Sequence, residues 1–268
     1  MNQPSDRLAE MGRRTLTASR SSGLAAATAV SALASGGQHG LRLFRERYPT
    51  VAVTGMSGVG KTVLVDRLCH RDSAQGPVEA GSAVMERRTR TSGRFKGFRF
   101  RVVPGDNAAT RLTALDEVFH DEPVDGVLHV VANGYATGRH LAGVPGRVEA
   151  DRPQQLAREL EDWIITAHRL ASMAVRRDRH TWLVIAVTKV DLYPHGIEAA
   201  VRSYSPGSGT AFGDQVDQLQ RLAGAAKLAI DVVPVCATAV KGGPVPPKQR
   251  DAYLAALQGR MEQFSGHV

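Results

Sequence analysis

Thr50-Val-Ala-Val-Thr-Gly-Met-Ser-Gly-Val-Gly-Lys-Thr62 decides the fold of this 268-residue chain. Its first half is an apolar run of strand length, and its second half has the spacing G-x-x-x-x-G-K-[ST] through Gly55, Gly60, Lys61 and Thr62. Backbone N–H groups can wrap a phosphate only where no Cβ stands in the way, which is why the loop is built on glycine. Ser57, Gly58, Val59, Gly60 and Val63 supply the wrapping backbone, Lys61 reaches the outer phosphates, and the Thr62 hydroxyl is placed to ligate Mg²⁺. Val63-Leu-Val-Asp-Arg-Leu68 continues as a helix whose positive end faces the phosphates.

Outward from that stretch, apolar runs alternate with helical patterns. Ala83–Thr91 and Phe95–Val103 read as a hairpin joined at Ser92-Gly93, with Arg87, Arg88, Arg90, Arg94, Lys96, Arg99 and Arg101 against Glu86. The aromatic residues Phe95, Phe98 and Phe100 do not share one strand face, so this basic ribbon is read as a solvated face and nucleic acid is not expected. Val124–Ala132 and Thr181–Val187 are strands buried on both sides, and Ala229–Cys236 is the last strand. Pro153 opens a long helix with Leu156, Leu160, Trp163, Ile164, Ala167, Leu170 and Ala171 toward the core; further helices are expected at 214–227 and 248–264. Such alternation predicts an α/β sandwich of about six mostly parallel strands with helices on both faces and one antiparallel hairpin strand.

Residues 1–48 read as a basic, Ala-rich extension, and residues 49–268 as one domain. Seven arginines against three acidic residues give the extension half of the net charge of +8. Its apolar run Leu24–Ala34 is too short to cross a bilayer, which takes about 20 apolar residues. Arg13-Arg14 before that run imitates a twin-arginine export signal, but export would part a nucleotide-binding domain from its ligand. A cytoplasmic chain is therefore expected, with the extension touching an acidic partner or a membrane surface. Cys69 and Cys236 lie far apart in apolar runs and suggest neither a disulfide nor a metal site, but buried thiols.

Thr188-Lys-Val-Asp191, at the end of a buried strand, resembles the N/T-K-x-D base-recognition motif of the Ras-like and translation-factor-related (TRAFAC) P-loop GTPases. The resemblance covers residues 49–264 and implies a GTP/GDP-binding switch with Mg²⁺, governing an effector protein. In that family the carboxylate, here Asp191, takes two hydrogen bonds from guanine, and the lysine stem, here Lys189, packs along the base. Cys236-Ala-Thr238 is similar to the Ser-Ala-Lys base-contact loop, with Ala237 the matching residue. The family's D-x-x-G turn stands here as Val102-Val-Pro-Gly105, keeping Gly105 and lacking the metal-linked carboxylate. Asp106 takes the place of the residue that orients the attacking water, and Thr91, ahead of Thr89, is the candidate switch threonine over Mg²⁺. Slow hydrolysis is expected. Two other readings stay open: a non-hydrolysing interaction module docking through the extension, and a P-loop ATPase or small-molecule kinase.

Overall fold

The computed structural model describes residues 48–70, 85–92, 96–105, 108–136, 151–238 and 243–266. The extension, the hairpin turn and Asp106 lie outside these. Six strands form one sheet in the order β2-β3-β1-β4-β5-β6. They are β1 Thr50–Thr54, β2 Glu86–Ser92, β3 Lys96–Val102, β4 Gly126–Val131, β5 Thr181–Val187 and β6 Leu228–Pro234. All pairings are parallel except β2 with β3. The expected sandwich with its single antiparallel strand is the observed one.

The central strands β1, β4 and β5 are apolar on both sides because helices cover both. On one face α1 (Lys61–Leu68) and α6 (Pro247–Phe264) pack on Val51, Val53, Leu128, Val130 and Val184. On the other, α2 (Ala108–Asp116), α3 (Arg152–Arg176) and α5 (Ala211–Ala223) pack on Ala52, Val127, Val131, Leu183 and Ile185. Trp163 of α3 and Phe212 of α5 stack with ring centroids 5.3 Å apart, and Tyr204 of α4 (Ile197–Tyr204) meets Phe212 edge-on at 4.7 Å. Each such aromatic pair adds about 0.5–1.5 kcal/mol beyond the area it buries.

Local chemistry sets the helix ends. Asp151 caps α3 by accepting from Gln154 N–H at 2.9 Å, with Pro153 following in the first turn. Thr210 caps α5 by accepting from Gly213 N–H at 3.0 Å, so this helix starts at Ala211 and not at 214; it ends before Gly224, whose φ is +83°. Two helices were not foreseen. α2 runs on into a π-turn, Glu117–Asp121, and buries Ala114, Leu115, Val118 and Phe119, while α4 buries Ala200 and Tyr204 one turn apart.

Three ribbon arginines are neutralised at home. Arg87 pairs with Glu117 at 3.0 Å, Arg88 with Glu86 at 2.9 Å and Asp66 at 3.3 Å, and Arg101 with Glu122. Phe98 and Phe100 are both buried, their centroids 6.0 Å apart. No helix among the described residues is long and apolar enough to cross a membrane.

Candidate nucleotide site

The loop between β1 and α1 has the backbone its glycines predict. Gly55, Gly58 and Gly60 have φ of +127°, +79° and +96°. At Gly55 the glycine is required twice over, since an added Cβ would also stand 2.2 Å from the Val130 carbonyl oxygen. Ser57 to Gly60 form the turn, and Lys61, Thr62 and Val63 open α1. Lys61, only 8% exposed, folds its ammonium back onto the carbonyls of Gly55 (2.6 Å) and Met56 (2.9 Å). Gly105 backs directly onto this loop: a Cβ there would come within 2.7 Å of Ser57 N and 2.8 Å of Lys61 Nζ.

The base motif is spliced to the phosphate loop. Thr188 is buried, and its hydroxyl lies 2.8 Å from the Val59 carbonyl and 2.9 Å from the Val131 carbonyl. One side chain thus joins the end of β5 to the loop after β1. Lys189 Nζ donates to the Tyr135 carbonyl at 2.8 Å, and burial lowers its pKa to about 8 despite Asp191 nearby. The Cys236 thiol sits 3.6 Å from Asp191 Oδ1 and 3.0 Å from the Thr238 carbonyl; burial, then the Asp191 charge, raises it to about 11. Ala237 offers its carbonyl to Arg67 Nε at 3.1 Å, tying this loop to α1. Cys236 is buried as expected, whereas Cys69 is half-buried; both are free thiols.

At the other end of the loop the residues come together less fully. Val102 is 3% exposed and packs in the apolar cluster of Val53, Leu64 and Phe100. Antiparallel register pairs Glu86 with Val102 and Thr91 with Gly97. Thr91 therefore lies five strand residues, roughly 16 Å at about 3.3 Å each, from the phosphate end. Thr89, opposite Arg99, is also set back from it. Neither strand threonine stands opposite the Val102 end of β3, because β2 runs away from the loop that β3 runs toward. Among the described residues no cluster of three or more His, Cys, Asp or Glu could hold a metal, and the Thr62 hydroxyl belongs to the first turn of α1 beside the loop. A single hydroxyl is not a metal site; Mg²⁺ keeps several waters and takes one or two carboxylates plus phosphates.

Beneath the loop lies a buried polar layer that the sequence reading passed over. Thr54 Oγ1 and His129 Nδ1 are 2.9 Å apart at paired positions of β1 and β4. Burial, then Arg111 and Lys61, depress the imidazole pKa to about 3, so His129 stays neutral. Asp162 of α3, 5% exposed, pairs with Arg111 of α2 at 2.7 Å. Glu159, 2% exposed, accepts from Ala132 N–H (2.9 Å), Gly134 N–H (3.3 Å) and the Tyr204 hydroxyl (2.6 Å). Burial raises both carboxyl pKa values, against the pull of Arg111 for Asp162 and of these hydrogen bonds for Glu159. A signal was present: on α3, Glu159, Asp162 and Thr166 recur at three- and four-residue steps beside Trp163 and Leu170, so the buried stripe is turned toward them and away from Leu156 and Ile164, while Leu160 packs half-buried against the core.

No protein-family model and no curated protein matches the sequence. Solved structures do match. The mammalian SRP receptor is similar at 14% identity and a TM-score of 0.51, over 80% of this chain and 99% of that one. A bacterial selenocysteine-specific elongation factor is similar at 14% identity and a TM-score of 0.47, over 82% of this chain and 29% of that one. A GTP-binding protein from Sulfolobus solfataricus, in complex with GDP, is similar at 13% identity and a TM-score of 0.46, over 86% and 56%. The chain thus spans less than a third of the elongation factor and just over half of the archaeal protein. The fold is that of the P-loop GTPase domains.

Proposed function

We propose that the chain binds GTP and GDP in the cleft between the phosphate loop and the Thr188–Asp191 motif, and acts as a nucleotide-dependent switch on a partner protein. The observation that supports it most is the Thr188 hydroxyl against the Val59 carbonyl, which ties the base motif to the phosphate loop. Lys61 and the loop amides would neutralise the phosphates. Asp191 would take two hydrogen bonds from guanine with the Lys189 stem along the ring; adenine offers the wrong groups to a carboxylate. Cys236 would steady Asp191, and Ala237 and Thr238 would complete the base loop.

Mg²⁺ arriving with the nucleotide would have the Thr62 hydroxyl as its protein donor and would supply charge neutralisation. With an apolar side chain at Val102, hydrolysis is slow; Asp106 is proposed as the group that meets the attacking water. The second reading, a non-hydrolysing interaction module, is favoured by the same burial of Val102. The rest of the proposal is a cytoplasmic location, with residues 1–48 meeting an acidic partner or membrane surface.

Affinities for GTP, GDP and ATP, measured by titration with and without Mg²⁺, test this directly. Guanine nucleotides are expected to bind at least about a hundredfold more tightly than ATP, the scale of discrimination a charged bidentate contact supports. Equal affinity for ATP would overturn the guanine reading.

A further inference from the structure

The base motif turns through a conformation that Thr188 and Asp191 do not by themselves explain. Lys189 has φ +57° and ψ 34°, a left-handed geometry that a residue with a Cβ keeps only where its surroundings hold it. Upstream, the Thr188 N–H donates to the Val131 carbonyl at 2.8 Å. Downstream, the N–H groups of Leu192 and Tyr193 close a short turn onto the carbonyls of Lys189 (2.9 Å) and Val190 (3.3 Å).

Tyr193 then folds back across the turn. Its hydroxyl donates to the Thr188 carbonyl at 2.6 Å, the peptide that leads into Lys189. Its ring stacks on Tyr135 with centroids 5.2 Å apart and planes 16° apart. Tyr135 is the residue whose carbonyl receives the Lys189 ammonium at 2.8 Å. On Tyr135 also lies the Arg152 guanidinium, 5.2 Å from the ring centroid and anchored to Asn133 O (3.1 Å) and Oδ1 (3.2 Å). The contacts form a closed circuit, Thr188 to Tyr193 to Tyr135 to Lys189, that stretches the lysine stem between two fixed ends.

We infer that Tyr193 is a positioning residue for base recognition: through the Thr188 carbonyl and the Tyr135 stack it sets the aim of Asp191 and of the Lys189 stem at a guanine ring. This rests on the reading that the cleft takes a guanine nucleotide. Burial, then the carboxylates of Glu159 and Asp191, push the phenol pKa up, so the hydroxyl stays a donor. A two-point contact is more sensitive to aim than a one-point contact. Guanine presents a ring N–H and an exocyclic amino group to a carboxylate, while hypoxanthine presents the ring N–H alone. The ratio of GDP to IDP affinity therefore reports how well Asp191 is aimed.

Tyr193→Phe keeps the ring stack and removes only the hydroxyl. GDP affinity is expected to fall about three- to tenfold, the worth of one hydrogen bond, with the GDP-to-IDP ratio falling in step. Binding of pyrophosphate, held by the phosphate loop alone, stays as in the wild type, and the melting temperature falls by no more than a few degrees, the cost of one intramolecular hydrogen bond. Tyr193→Leu, which also removes the stack, loses more; if it fails to fold, Tyr193→Phe carries the test. Unchanged GDP affinity in Tyr193→Phe, or an equal loss for GDP, IDP and pyrophosphate, overturns the positioning role while leaving the guanine reading standing. A wild-type chain that does not prefer GDP over ADP removes the guanine reading, and the role with it.

Discussion

The two ends of the cleft are built to different standards. At the base end, Thr188, Lys189, Asp191 and Cys236 each meet a side chain or carbonyl from another segment, and Tyr135, Tyr193 and Glu159 brace those segments. At the outer-phosphate end, Gly105 closes on the loop but the strand before it ends in buried Val102. Chemistry needs a group that moves charge at the outer phosphate, whereas recognition needs groups that stay still. On the proposed reading, a molecule that keeps the second and departs at the first would hold a nucleotide more surely than it would cleave it.

The largest effect tests whether the outer-phosphate end tolerates the absent carboxylate. Val102→Asp puts a charge into the apolar cluster of Val53, Leu64 and Phe100, and is expected to cost about 3 kcal/mol or more in the nucleotide-free protein. Mg²⁺ with GTP should return part of that stability and raise the Mg²⁺ dependence of GTP affinity. Denaturant titration with and without Mg²⁺–GTP checks both. Equal destabilisation in the two conditions would mean that this strand end does not face the metal.

A smaller loss is expected where the base end is braced. Glu159→Ala strands the Ala132 and Gly134 N–H groups and the Tyr204 hydroxyl, at about 2–4 kcal/mol for polar groups left buried and unpaired. GDP affinity should fall with it, because the β4 end it holds carries Tyr135. A stability loss with GDP affinity intact would separate the brace from the base site.

Next comes the layer under the phosphate loop. His129 has a folded-state pKa depressed from 6.5 to about 3, so the unfolded chain binds the proton first. The stability this contributes is complete above about pH 6.5 and is lost as the pH falls toward 3, at up to about 1.4 kcal/mol per pH unit. By pH 5 the loss approaches about 2 kcal/mol. His129→Gln, which keeps a polar group beside Thr54, should flatten that slope in urea titrations at pH 7, 6 and 5; an unchanged slope would place the acid sensitivity elsewhere.

What could be read in advance follows the same division. The phosphate loop and the Thr188–Asp191 motif were legible because their chemistry demands fixed residue types at fixed spacing, and the strands because an apolar run bounded by turns has few alternatives. α2 and α4 were not legible: one carries its buried residues late and ends in a π-turn, and the other is two turns long. The Tyr135–Tyr193 stack joins loops that no local pattern connects. His129 was hidden inside a run that is otherwise apolar, and the place of Thr91 along β2, opposite Gly97, follows from a strand register that residue type does not reveal.

The central claim is that Asp191 reads the base. Titration of the wild type and of Asp191→Asn with GDP and with xanthosine diphosphate tests it most directly. An amide offers a donor where the carboxylate offered an acceptor, so the variant is expected to lose roughly tenfold or more in GDP affinity and to gain affinity for the xanthine nucleotide. Unchanged GDP affinity, with no gain for xanthosine diphosphate, would contradict the account.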